Sequence, residues 1–427
     1  MTLGWGQIAR LGLVQMCLGA VVVLTTSTLN RLMVVEFALP AVLPGLLVAL
    51  HYGIQLSRPR WGFTSDTGGN RTKWIIGGMA ALSFGGFLAA FGVTLFATSY
   101  ALALTVSILA YALIGVGVGA SGTSLLALLA TATAPQRRAA AATITWLMMI
   151  FGIAMTAGVA GSFLDPYSPA RLLAVVAVVT GLALVITVLA VGRIEQKVQA
   201  VKEQETAPFF EGLREIWSET KTRNFTIFVF LSMNAYFMQE LILEPFAGLV
   251  FNFTPGQSTS LSGAQNGGVF IGMLTVGIAA TGLKLGALRH WVIAGCLGSA
   301  AALTAIALAG YGLLALPLTA LVVGLGFFNG MFAVAAIGSM MALASQGRES
   351  REGTRMGLWG AAQAIAAGFG GLFGAAAVDI ARSSLSDGQA FGSVFTFEAI
   401  LFVAAAVMAA RVMDDNRAAS GAMVPGE

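Results

Sequence analysis

Glu240 and Glu244 stand four residues apart in the stretch MQELILEPFAGLVF, Met238 to Phe251, within an otherwise apolar run. A carboxylate in or near hydrocarbon is costly, so the pair needs a purpose: a proton-coupling site, a ligand for something carried, or a polar cap where a helix leaves the bilayer. On a helix the two share one face, with Gln239 beside them, and like charges at that spacing repel. The pair therefore calls for a cationic partner or a proton on one of its members. Arg31, flanked by Asn30 and Glu36 near the outer end of the first apolar segment, is the candidate partner. Pro245 disfavours helical geometry at Glu244, so the helix is expected to bend or end there. Asn30, Arg31, Glu36, Gln239, Glu240, Glu244 and Pro245 are expected to form a polar gate or docking collar at the outer rim.

The elements that must position these residues are membrane-spanning helices. Hydrophobic residues make up 57% of the chain and charged ones 10%, and apolar runs of spanning length recur along it. The runs fall at 9–30, 39–57, 74–97, 102–132, 140–163, 171–192, 225–250, 262–282, 290–311, 314–343, 355–378 and 391–411, which makes twelve spans in two sets of six. With the N-terminus inside, the inner segments hold 20 Lys and Arg residues, and the outer ones hold only Arg31, Arg171 and Arg382. Positive charge is retained on the cytoplasmic side, so both termini are expected there. No cleavage site follows Arg10, and the first span is expected to be retained. The net charge of +4 then reflects topology and gives no reason to expect nucleic acid as a partner.

Other residues with chemical potential are few. His51 lies inside the second span, where a neutral imidazole can ligate the magnesium of a pigment or hydrogen-bond a neighbouring helix. His290 sits beside Arg289 at an inner helix start, where a solvated side chain is the simpler reading. Gly117, Gly119 and Gly122 fit a dinucleotide pattern, but within one apolar helix they serve close packing. Cys17 and Cys296 fall in spans of opposite halves, which disfavours a disulfide or metal framework. No catalytic set is recognisable: there is no P-loop, no nucleophile elbow and no paired Asp-rich motif for a prenyl diphosphate. The chain is not expected to be an enzyme. With the central region nearly charge-free, any cargo should be largely apolar.

The two halves resemble each other. Arg138 precedes Trp146, and Gly158 follows it, at the intervals that relate Arg351, Trp359 and Gly371, an offset of 213 residues. The expected domains are an N-terminal six-helix bundle (1–192), a cytoplasmic linker carrying an amphipathic helix (193–224), a C-terminal six-helix bundle (225–411) and a cytoplasmic tail (412–427). A parallel repeat of six spans is the arrangement of major facilitator transporters. The loop RPRWGFTSDTGGNRTKW resembles that superfamily's inner-loop signature at Gly62, Asp66, Gly68, Gly69, Arg71 and Lys73. The expected role there is conformational, with Asp66 capping the next helix or pairing with a basic residue.

Three stretches carry a closer resemblance. MQELILEPFAGLVF matches the Gln-acidic-x-Leu-Leu-Glu-Pro-aromatic signature of the PucC/LhaA family at Gln239, Glu240, Glu244, Pro245, Phe246, Gly248 and Phe251, with Ala247 where Gly is common. STLNRLMVVEFALPA and GLWGAAQAIAAGFGG match two further family motifs. The chain thus resembles the bacteriochlorophyll-delivery branch of the major facilitator superfamily over its whole length. That resemblance implies an assembly factor for light-harvesting antenna polypeptides, located in the cell inner membrane or intracytoplasmic photosynthetic membrane, with bacteriochlorophyll as cargo and no firm cofactor. Two alternatives stay open: an alternating-access transporter of a small amphipathic solute, and a non-catalytic subunit of bacteriochlorophyll synthase, the label carried by one set of family members.

Overall fold

The computed structural model describes residues 3–57, 70–134, 137–192, 194–195, 220–283, 285–344 and 352–412, which include no strand. The long apolar segments form helices because a backbone in hydrocarbon must satisfy its own hydrogen bonds. In chain order they are α1 (Trp5–Glu36), α2 (Val42–Gln55), α3 (Arg71–Leu95), α4 (Tyr100–Ala132), α5 (Arg138–Leu164), α6 (Pro169–Val191), α7 (Thr220–Phe251), α8 (Pro255–Val276), α9 (Leu288–Gly310), α10 (Leu318–Ala344), α11 (Glu352–Arg382) and α12 (Asp387–Val412). Eleven are long and apolar enough to cross a membrane, and α2 is the exception at 14 residues. It is short at its start because α1 runs on to Glu36, past the expected end at residue 30, and Ala38 then turns the chain with φ of +50°. Residues 31–36 are therefore helical, where a loop is expected after the first span.

The repeat governs the packing. Helix α1 lies on α5, α2 on α4, and α3 on both α4 and α6; six helices later, α7 lies on α11, α8 on α10, and α9 on both α10 and α12. Buried apolar side chains form two large clusters, one drawn from Leu3 to Ile194 together with Leu241, the other from Phe225 to Ala409. Cys17 and Cys296 are buried and unpaired, one in each cluster. The halves meet where α2 faces α11, where α5 faces α8, and where the last turns of α1 cross α7. Because successive helices alternate in direction, the first and last described residues share one end of the molecule. The opposite end is termed distal.

The glycines of α4 serve this packing. A Cβ at Gly117 would stand 2.5 Å from the backbone nitrogen of Leu82 on α3, so the dinucleotide-like pattern is a helix contact. At the other end of α3, the backbone N–H groups of Arg71 and Thr72 donate to the Glu195 carboxylate, each at 2.9 Å, and that of Lys73 to Asn70 Oδ1 at 3.2 Å. The helix start is thus capped by Glu195 and Asn70. Gly62, Asp66, the amphipathic stretch 209–217 and the tail from 413 lie outside the described residues.

Candidate functional site

The distal half of α1 departs from regular α-helix, with π-helical turns at Leu24–Thr28 and Leu32–Glu36. Hydroxyl side chains favour this: Thr25 Oγ1 donates to the Val22 carbonyl at 2.7 Å and Thr26 Oγ1 to the same oxygen at 3.3 Å, competing with the backbone ladder. The result is a buried polar stripe of Thr25, Thr26, Ser27, Thr28, Asn30 and Arg31. Buried polar groups need partners, and most of these find them on the other half.

Ser27 donates to the Glu244 carboxylate, and Thr28 and Thr259 share a hydrogen bond of 3.0 Å. Glu240, half-buried, lies against Thr26 and Tyr236. Helix α7 does not end or break at Pro245; it continues to Phe251. A proline there cannot donate to the carbonyl of Leu241, four residues earlier, and in an apolar interior that oxygen would be stranded. Asn30 supplies the missing donor: its Nδ2 stands 2.6 Å from Leu241 O, across the seam between halves. The helix therefore does not end at Glu244, one of the two outcomes expected of Pro245.

Arg31 is also placed differently from expectation. Its guanidinium pairs with Glu36 of its own helix and donates to the Phe253 carbonyl at 2.6 Å. The π-helical turn brings residue 36, five positions on, beneath Arg31, so the partner is local. Glu244 remains close enough to feel the Arg31 charge, while its second carboxylate oxygen and Arg31 Nε make no hydrogen bond among the described residues. The seat for the guanidinium is Gly248, where a Cβ would come within 3.3 Å of Arg31 Nε and Nη2. Gln239 is buried as well, and its Oε1 has no partner among the described residues.

His51 stands apart from this cluster, nine residues into α2. Its Nε2 is 2.8 Å from Gln55 Nε2, its ring lies on Tyr52 at 4.5 Å, and the residue is only 2% exposed. His290 is exposed at the start of α9, as read from its neighbour Arg289. Of the inner-loop residues, Arg71 is buried and Lys73 exposed at the start of α3, away from the collar.

Several members of the site were not anticipated. Ser27 and Thr28 read as ordinary span residues and Thr259 as part of the outer turn before the span at 262, and Phe253 contributes only a backbone oxygen, which no side-chain pattern can reveal. Tyr167, in the turn between α5 and α6, also borders the cluster: burial pushes its hydroxyl pKa up, the Glu36 charge adds to this, and Arg31 pulls the other way. One signal was available. The offset of 213 that relates α5 to α11 also relates position 31 to position 244, so the repeat sets Arg31 against Glu244 where α1 and α7 cross.

The architecture has clear relatives. The chain superposes with a TM-score of 0.68 at 14% identity on a bacterial homologue of the human drug peptide transporters PepT1 and PepT2, covering 96% of this chain and 98% of that one. A bacterial homologue of the human lysosomal transporter Spinster gives 0.65 at 14% identity, over 95% and 96% of the two chains. This is the major facilitator fold, in a multi-pass membrane protein. Within it the chain belongs to the PUCC protein family, which its residues 28–417 match. It is 66% identical over 423 residues, 98% of each chain, to the "Bacteriochlorophyll synthase 44.5 kDa chain" of Rhodobacter capsulatus. It is 29% identical over 390 residues to "Protein PucC" of Cereibacter sphaeroides, covering 85% of this chain and 81% of that one.

Proposed function

We propose that this protein handles or delivers bacteriochlorophyll during assembly of light-harvesting complexes in the photosynthetic membrane, without catalytic chemistry of its own. The observation that carries the reading is its full-length similarity to a protein named for bacteriochlorophyll synthesis, inside a family of PucC proteins. The chemistry fits: an apolar macrocycle with a long isoprenoid tail calls for small-residue surfaces and few charges, as this chain has. The charge bias of the loops supports a periplasmic position for the distal end. The collar around Arg31 and Glu244 is then the gate or docking collar at the periplasmic mouth of the two bundles.

A second reading, alternating-access transport of a small amphipathic solute, is favoured by the transporter fold of the solved relatives. A third, a non-catalytic subunit of the synthase, is favoured by the name of the 66% relative. A deletion strain separates them. Delivery predicts pigment synthesis at normal levels with antenna lost. Accumulation of the non-esterified precursor indicates the synthase subunit, and unchanged antenna with altered solute uptake indicates the transporter. In the complemented strain, Glu240→Gln and Glu244→Gln are expected to lower antenna levels. Full antenna with both variants would leave those carboxylates as structural caps only.

A further inference from the structure

The collar closes the middle of the distal seam, and two contacts flank it that the proposed function does not use. Asp165, the residue after α5, accepts from Thr254 Oγ1 at 2.5 Å and from the Gly256 N–H at 3.1 Å, at the start of α8 in the other half. Asp379, in the last turn of α11, accepts from the N–H groups of Ala41 at 3.0 Å and Val42 at 2.7 Å, at the start of α2 in the first half. Each half thus lends one carboxylate to the start of a helix in the other.

The two contacts are one device used twice. The capped residues Ala41 and Thr254 differ by 213 in number, the repeat offset, and the capping residues Asp165 and Asp379 differ by 214. The chemistry is that of a helix N-terminus, where unpaired N–H groups and the positive end of the helix dipole attract an anion. Local sequence makes the need plain for α2, since Ala41 has no side chain with which to cap its own helix. At the other site Gly256 leaves room for the carboxylate, because a Cβ there would stand 2.6 Å from the Asp165 carboxyl carbon. Beside Asp165 the seam opens into a recess of about 440 Å³ lined by Ser162, Gln257, Ser260 and Thr319, so this cap borders open space.

We propose that Asp165 and Asp379 are paired latches that hold the distal end of the two bundles closed. Parting the halves at that end breaks all four hydrogen bonds, two on each side of the collar. Asparagine is the discriminating substitution: it keeps the shape, but it sets an NH₂ group against a donor where each aspartate now offers two acceptor oxygens. This inference rests on the fold and is independent of the cargo.

The test uses the full-length chain in lipid nanodiscs, spin-labelled at Ser99→Cys and Ser384→Cys. These are exposed distal turns of opposite halves, and native Cys17 and Cys296 are buried. Each single variant, Asp165→Asn or Asp379→Asn, is expected to raise the ratio of long to short label distances about fivefold, and the double variant more, in line with the loss of a helix cap. Thr254→Val, which leaves the Gly256 bond in place, should have a smaller effect. Distance distributions unchanged in the folded double variant would overturn the proposal, even with a lowered thermal midpoint, since the caps would then be structural only. If the double variant does not fold, unchanged distances in both single variants overturn it equally.

Discussion

Arg31→Met is expected to destabilise the folded protein by about 3 kcal/mol or more, because it strips the cation from a buried cluster that holds Glu244, Glu36 and the Phe253 carbonyl. Glu36 is partly exposed, with 37% of its side chain accessible, so water screens its share of the loss. The larger part comes from Glu244, 2% exposed, which is left with the hydroxyls of Ser27 and Ser262 and, among the described residues, no nearby positive charge. Arg31→Lys should recover little of this. A lysine ammonium is a point charge on a flexible stem and cannot reproduce a planar fork that reaches Glu36 and Phe253 together over Gly248. Unfolding in mixed micelles measures both variants. A loss under about 1 kcal/mol for Arg31→Met would mean that the pair behaves as an ordinary surface bridge.

The second large effect concerns Asn30 and Pro245, and a double-mutant cycle reads it. Asn30→Ala removes the donor to Leu241 O and is expected to cost about 1–3 kcal/mol, the penalty for stranding a buried acceptor. With Pro245→Ala in place, the new backbone N–H at 245 can bond to that same oxygen, and Asn30→Ala should then cost at least about 1 kcal/mol less. Additive losses in the two backgrounds would show that Asn30 does not stand in for the proline's missing donor. The contact also bears on function. A side chain of one half completes the hydrogen bonding of a broken ladder in the other, so the halves cannot part at this point without stranding a carbonyl.

Much of the architecture was legible because it rests on composition and spacing. Apolar runs located the spans, and the interval between Trp146 and Trp359 exposed the repeat that the helix pairings follow. Asn30, Arg31, Glu36, Glu240 and Glu244 do come together where α1 crosses α7. The bonding within that group was not legible, for three physical reasons. Helical spacing assumes 3.6 residues per turn, whereas the π-helical turns in α1 put Glu36 beneath Arg31. Two key acceptors, Leu241 O and Phe253 O, are backbone atoms and leave no trace in side-chain pattern. A proline in a membrane helix was read as a break, yet a neighbouring amide can satisfy the carbonyl it frees. The latches were missed for a related reason. Asp165 and Asp379 read as residues at span ends, and their targets are N–H groups almost a hundred and more than three hundred residues away in the chain.

The collar and its flanking caps describe how the two bundles are joined, and the proposed cargo gives that joint its purpose. Handling of bacteriochlorophyll is tested most directly by the absorption spectrum of the full-length chain, purified in mild detergent from cells that make the pigment. The account predicts a bacteriochlorophyll band that travels with the protein through size-exclusion chromatography. A colourless protein from pigment-replete membranes would contradict direct handling.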